Sequence, residues 1–539
     1  MLGRRSFMRK SKKMLSLFLV FVMILSMLTG CSKESNESNK RNDSNETNVS
    51  EESDASKESD ETRQDEISNQ QNDLSDELSK QEPYVVKIAM VGDAATDDCN
   101  AVAEAASKIT EEKFNTTIEL VRFGYGSYME ELNLMLASGE KLDLFTAFRL
   151  SVTAGANAGQ IIALDELLEN YGQDILADIP KEDWKCTSLN GSIYGVRNNK
   201  ELASGYGIAM VTEILETLET DITEIKSEED LTALFREVKE KYPNVYPIVT
   251  DRGTMEWYNA YLDPLGGDFG VLEDCTTDSS EVVNWFDSET YKELVNVRHS
   301  WVTEGLMMPD PSTNSENATD LLAAGKGFSF ISNTKPGIDG ELERQIGKNI
   351  TVLEITPPFS LTESLSNMWY IPPNSQSPDR AMQVLNEIYS NPELTNILIN
   401  GLEGTHFEVV DEEKGIIDYP EGVDASNTGY SMAAWAWPNE LISYTWTMDD
   451  PNVWTDTIAF NKSAINSKGK GFMWDSTAVL SEVAACTNVK AKYFNSINTG
   501  ELDPEEAIPK FVEELKRAGV DTIIAEKQRQ FDEWLDSQE

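Results

Sequence analysis

Between residues 85 and 146 the apolar pattern alternates between two periods, and this alternation constrains the fold more than any other stretch of the chain. Val85, Val86, Ile88, Ala89, Met90 and Val91 form a near-continuous apolar run closed by a Gly92-Asp93 turn. That is the mark of a strand covered on both faces. Val102, Ala105, Ala106 and Ile109 follow at helical spacing behind Asp97 and Asp98, either of which could cap the helix. Residues 118–123 form a second predicted strand, and residues 142–146 a third. Tyr128, Leu132, Met135 and Leu136 between them mark a second helix that stops at Ser138-Gly139. Strand, helix, strand, helix, strand at this spacing gives crossover connections and a parallel sheet, hence the α/β class. Ligands of open sheets sit beyond the carboxyl ends of the strands. Those ends are Gly92-Asp93, Gly124-Tyr125-Gly126 and Phe148-Arg149-Leu150-Ser151.

Downstream, residues 193–197 are a predicted strand, residues 227–325 are rich in helix, and residues 351–355 and 367–371 are strands again. A helix is expected over 378–390, after Pro372-Pro373. Near the end, Asp503-Pro504-Glu505-Glu506 starts a helix, and an amphipathic helix runs to about Leu535. Residues 83–539 are too many for one core and should divide into two lobes. No change of composition marks a border between lobes, so the chain is expected to cross between them more than once.

The N-terminus has a different character. Six basic residues (Arg4, Arg5, Arg9, Lys10, Lys12, Lys13) precede an apolar run over residues 14–28, which ends in Leu28-Thr29-Gly30-Cys31. This is the layout of a secretory signal, and a cysteine after Leu-Thr-Gly matches the lipobox of bacterial lipoproteins. The run is shorter than the roughly 20 residues a spanning helix needs. Residues 1–30 are therefore read as a signal peptide and Cys31 as the lipidated residue, placing the protein on the outer face of the cell membrane. Residues 32–82 hold 6 Lys and Arg against 16 Asp and Glu, with no aromatic residue. Such a segment cannot bury enough apolar surface to order itself and is expected to be an extended tether.

The whole chain carries a formal net charge of −49, most of it on residues 83–539. Charge of that sign excludes nucleic acid as a partner and disfavours adhesion to anionic lipid heads. Four cysteines remain in the head, Cys99, Cys186, Cys275 and Cys486, widely spaced and without a C-x-x-C. An oxidising compartment permits disulfides, and the spacing leaves three pairings or free thiols open.

Several segments resemble one family. Tyr128-Met129-Glu130-Glu131-Leu132-Asn133-Leu134-Met135-Leu136-Ala137-Ser138-Gly139-Glu140, then Leu142-Asp143-Leu144, is similar to the extracellular solute-binding proteins of bacterial ABC importers. Ala163-Leu164-Asp165-Glu166-Leu167-Leu168 and Gly191-Ser192-Ile193-Tyr194-Gly195-Val196 stand where that family carries related motifs, although Arg197 replaces a common proline. Gly471-Phe472-Met473-Trp474-Asp475 and residues 503–535 resemble the C-terminal part of the long Gram-positive, sugar-binding lipoproteins of family 1. The resemblance implies a two-lobe clamshell of type 2 periplasmic-binding-protein topology, each lobe a mixed sheet flanked by helices. By analogy, lobe one holds about 83–195 and 356–405, and lobe two about 200–350 and 410–539. It also implies a monomeric binding protein that traps a carbohydrate by hinge closure and delivers it to permease subunits.

Carbohydrate recognition needs flat apolar faces beside planar hydrogen-bonding groups. The eleven tryptophans all lie in the head, with Trp257-Tyr258, Trp301, Trp369-Tyr370, Trp435-Ala436-Trp437 and Trp446 in polar-looking context. If residues 435–437 form a strand, Trp435 and Trp437 point the same way. Asp93, Tyr125 and Arg149 follow strand ends; Asn198 and Asn199 follow the first presumed crossing. Trp257, Trp369, Glu403 and His406 complete the candidates, His406 reading more readily as a packed or capping residue.

The sequence has no Gly-x-Ser-x-Gly, His-Glu-x-x-His or P-loop, and its two histidines are far apart. No catalysis, metal site or cofactor is expected, and Asp449, Asp450 and Asp456 read as a solvated loop in preference to a calcium site. The alternatives are a surface polysaccharide-binding adhesin and a glycoside hydrolase, whose paired carboxylates simple counting cannot exclude.

Overall fold

The computed structural model describes residues 80, 82–124, 126–148, 150, 152–256, 261–365 and 367–537. The expected signal, Cys31 and nearly all of the tether lie outside the described residues, as do Tyr125, Arg149 and Trp257.

The first three strands are β1 (Tyr84–Ala94), β2 (Thr116–Phe123) and β3 (Leu144–Phe148), with α1 (Thr96–Phe114) and α2 (Tyr128–Ser138) between them. β1 pairs in parallel with both β2 and β3, as the alternating pattern predicts. Val86, Ile88, Ala89, Met90 and Val91 are all buried, which is why β1 shows so little polar alternation.

The chain then runs through β4 (Val196–Arg197) into a second sheet made of β5 (Gly205–Val211), β6 (Tyr246–Ile248), β7 (Gly327–Thr334) and β8 (Ile350–Glu354). α3 (Glu228–Lys241) and α4 (Glu289–Thr303) lie between these strands. The short strand β9 (Phe359–Ser360) leads back to β10 (Asn367–Tyr370), α5 (Pro378–Ser390) and α6 (Pro392–Asn400) on the first sheet. Later come β11 (Tyr430–Met432), β12 (Ile465–Asn466), α7 (Leu480–Asn498), α8 (Pro504–Ala518) and α9 (Val520–Asp536).

In the first sheet the order is β11–β1–β3–β10–β4, with β2 also on β1; in the second it is β8–β5–β7–β6. Each sheet has its own core. Val86, Ile88, Met90, Leu385, Ile388, Trp369 and Trp437 pack between the first sheet and α1, α5 and α6. Ile208, Met210, Phe235, Ile248, Trp301 and Phe328 form the second core. The molecule is a two-lobed mixed α/β structure in which the chain passes between lobes repeatedly. α4 belongs to two packing groups, because Trp301 faces the second core while Tyr291, Leu294 and Val295 face a helical layer built by α7, α8 and α9.

Three expectations change. Gly92-Asp93 is not a turn after β1 but its last hydrogen-bonded stretch, because β11 pairs antiparallel with Gly92, Asp93 and Ala94. A Cβ on Gly92 would lie 2.7 Å from Met432 Sδ, so glycine alone permits that approach. Residues 430–437, expected in the second lobe, thereby join the first. The C-terminal amphipathic stretch is two helices, broken at Gly519, whose φ of 103° ends α8 in the left-handed region.

Cys99, Cys186, Cys275 and Cys486 are free and buried. Burial pushes the Cys186 and Cys275 thiols up to about 12. The loop at Asp449 and Asp450 is held by ordinary contacts: Arg344 pairs with Asp449 at 2.6 Å, and Asp450 Oδ1 accepts from the Asn452 amide.

Candidate functional site

Where the chain crosses between lobes, segments far apart in sequence lie side by side. Ser204 and Phe359 exchange backbone hydrogen bonds at 3.0 and 2.9 Å, and β9 pairs in parallel with β12. Asn199 donates its amide to Pro438 O (2.7 Å), and the Glu440 amide donates to Asn199 O (3.0 Å). Asn461 Oδ1 accepts from the Leu202 amide while its Nδ2 donates to Lys200 O, both at 2.8 Å. These contacts join residues 198–204, 355–360, 438–440 and 461–466 into a candidate hinge.

The first-lobe wall stands at the carboxyl end of β1. Asp93 is exposed there, with Oδ1 facing Gly124. Trp435 lies just past β11 and is half-buried, with Lys200 Nζ 5.7 Å from its ring centroid. Asn198 is buried and donates Nδ2 to Trp435 O at 3.0 Å, while its Oδ1 has no hydrogen-bond partner among the described residues. The hinge-side residue Asn199 donates instead to Asp178 Oδ2 at 2.9 Å.

Four other candidates do not join this wall. Residues 434–436 form a 3-10 turn and not a strand, so Trp435 and Trp437 do not share a face. Trp437 is 1% exposed and stacks at 5.7 Å on Trp369, equally buried, whose Nε1 donates to Ala436 O. Both rings are core. Glu403 is exposed in a turn after α6. His406 is buried beneath it, its Nδ1 accepting the Leu402 amide at 2.8 Å and its Nε2 lying 3.4 Å from Asp98 Oδ1. The ring is thus packed in the turn that follows α6.

The second-lobe wall was not foreseen. In register, Tyr206 on β5 faces Asn333 on β7, two residues from the Ser204–Phe359 bridge. A groove of about 220 Å³ opens there, lined by Asp251, Thr254, Glu256, Ser332 and Asn333 over an apolar floor of Val249, Phe330 and Ile331. The wall around Glu256 raises its carboxyl above the usual value, Arg298 opposing and Asp251 reinforcing the shift. Half-buried Tyr206 and Tyr261 flank the buried ring of Phe359 at 5.7 and 6.1 Å. Gly205-Tyr206-Gly207 repeats the glycine-aromatic-glycine pattern of Gly124-Tyr125-Gly126, a signal that could have exposed it. Aromatic faces beside amide and carboxylate groups on both sides of a hinge suit a polyhydroxylated ligand.

The comparisons with known proteins agree with this architecture. Residues 100–393 match the sequence profile of the bacterial extracellular solute-binding proteins, and residues 468–536 match a domain of unknown function. A carbohydrate ABC transporter substrate-binding protein of Streptococcus pneumoniae is 28% identical over 460 residues, covering 84% of this chain and 91% of that one. The crystal structure of an N-glycan transport solute binding protein from Streptococcus pneumoniae is 26% identical, with a TM-score of 0.75 over 85% of this chain and 100% of its own. In complex with Man5GlcNAc that protein gives a TM-score of 0.62, at 27% identity and with the same coverage. The family profile spans more than half of the sequence, and this protein belongs to the bacterial extracellular solute-binding proteins.

Proposed function

We propose that the protein is the membrane-anchored capture component of an ABC importer, and that it holds a carbohydrate of the N-glycan class in the cleft without turning it over. One observation carries this reading: half-buried aromatic rings stand on both walls beside the hinge, Trp435 on one and Tyr206 and Tyr261 on the other. The wall polar groups (Asp93, Asp251, Glu256 and Asn333) reach solvent and are placed to meet sugar hydroxyls. The N-glycan transport solute binding protein of Streptococcus pneumoniae, comparable in fold, has been crystallised in complex with Man5GlcNAc, which supports that ligand class here. A binding role without hydrolysis suits the carboxyl pair near the hinge. Glu201 and Glu440 are hydrogen-bonded to each other, whereas a retaining glycosidase holds its pair about 5 Å apart around the sugar.

Thermal-shift measurement across a ligand panel tests the assignment. Mannose- and GlcNAc-containing oligosaccharides at a hundredfold excess over Kd should add about 2.7 kcal/mol of apparent stability. Stabilisation by peptides or polyamines, with none by any carbohydrate, would overturn it. The lipid on Cys31 and the acidic tether keep the head beside its permease, a role that rests on the lipobox. Cys31→Ser should therefore release the protein into the medium and impair uptake while leaving binding in solution intact. Retention of Cys31→Ser on the membrane would refute the anchor.

A further inference from the structure

Glu440 enters the hinge with a fixed backbone. Its amide donates to Asn199 O, and its carbonyl accepts from the amide of Ser443 at 3.0 Å and the hydroxyl at 2.7 Å. The side chain is buried against Glu201, to which it hydrogen-bonds. Glu201 in turn is ion-paired with Lys200, the cation that lies over the Trp435 ring. From the second lobe, Lys335 follows β7 directly, faces both carboxyls and pairs with Glu341 at 3.0 Å. Lys200, Glu201 and Lys335 are thus the charged groups that face Glu440, with Glu341 behind Lys335.

We propose that Glu440 is a positioning residue of the capture cleft: through Glu201 it holds Lys200 against Trp435, ties the first crossing segment to the third, and so sets glycan affinity without touching the glycan. This rests on the carbohydrate reading above. The chemistry of the pair supports it. Burial, and then the charge of Glu201, pushes the Glu440 carboxyl up to about 8. Burial also opposes the ionisation of Glu201, yet Lys200 and Lys335 hold it below the usual carboxylate value. At neutral pH Glu440 is thus a protonated donor to the Glu201 carboxylate, a charge-assisted bond. Loss of that proton sets two carboxylates against each other, and Lys200 is then drawn between them and away from the ring.

The sign of the pH effect follows. The native state binds this proton more tightly than the unfolded chain, so the contribution is complete below the unfolded carboxyl value. It is lost as pH rises toward and through about 8.

The test uses the full-length chain, with Man5GlcNAc as probe, in titrations from about pH 6 to about pH 9.5. Wild-type affinity should hold to about pH 7.5 and fall roughly tenfold by about pH 9. Glu440→Gln, which keeps a donor to Glu201, should bind within about twofold of wild type at neutral pH and show a flat profile. Glu440→Ala should lose about tenfold at every pH. A flat wild-type profile, or wild-type affinity in Glu440→Ala, would overturn the proposal. Melting without ligand decides it independently. The wild-type midpoint should drop more steeply between about pH 6 and 9 than that of Glu440→Gln, and equal slopes would also overturn it. Wild-type protein that binds no glycan at any pH would refute the carbohydrate reading, and the melting slopes would still decide the carboxyl pair.

Discussion

Trp437→Ala lowers the stability of the head by about 3–5 kcal/mol, the loss expected when a fully buried tryptophan leaves a cavity. Its ring stacks on Trp369 within the core that also holds Met90, Leu385 and Ile388. The Trp369 indole is fixed in turn by its bond to Ala436 O, so the two rings and the 3-10 turn form one packed unit. The neighbouring variant Trp435→Ala should behave in the opposite way. That ring is half-buried at the cleft wall, and its removal should change stability by less than about 1 kcal/mol. Glycan binding should weaken about thirtyfold, the loss of roughly 2 kcal/mol typical of an aromatic anchor. Denaturant midpoints and titrations on both variants separate the roles. Equal stability loss in the two would place Trp435 in the core, and unchanged binding in Trp435→Ala would remove it from the site.

Arg298→Met is the second large effect, about 3 kcal/mol or more, because it strands several buried polar groups at once. Arg298 is fully buried on α4 at the seam between the second core and the helical layer. It donates Nη1 to Asn498 O at 2.8 Å and also to Asn498 Oδ1, and Nη2 to Glu256 O. Asn498 Nδ2 reaches Met255 O at 2.8 Å, so the network fixes residues 255–256, which line the second-lobe groove. Gly500 packs on the Arg298 backbone with a φ of 76°, leaving no room there for a side chain. Arg298→Met should therefore weaken glycan binding as well as folding. The Glu256 carboxyl should shift further upward once its opposing cation is gone. Denaturation and titration test this, and unchanged stability would show that the seam tolerates an apolar substitute.

The fold was legible where its signals are local. β1, α1, β2, α2 and β3 follow one another with short connections, so periodicity alone places them and fixes their parallel pairing. α5 was legible for the same reason, with Pro378 at its start and Ala381, Val384, Leu385 and Ile388 on one face. The hinge was not. Ser204 meets Phe359, and Asn199 meets Asn439, across separations that no local pattern encodes. β11 has three residues and no strand signature of its own; its place is set by the close approach that Gly92 allows. The tryptophans show the same limit. Trp301, Trp369 and Trp437 look exposed in sequence, yet burial depends on which sheet or helix they meet, and all three lie in cores. Asn198 is a candidate that its position after the crossing strand names, whereas Tyr206, Glu256 and Asn333 become candidates only once the second sheet is assembled.

The most direct test of the central claim is a calorimetric titration of the full-length protein with Man5GlcNAc, beside Trp435→Ala, followed by chromatography of the recovered glycan. Saturable one-to-one binding that Trp435→Ala weakens about thirtyfold, with the glycan recovered intact, is the predicted result. No binding of this or any related oligosaccharide, or recovery of shortened glycan, would contradict capture without turnover.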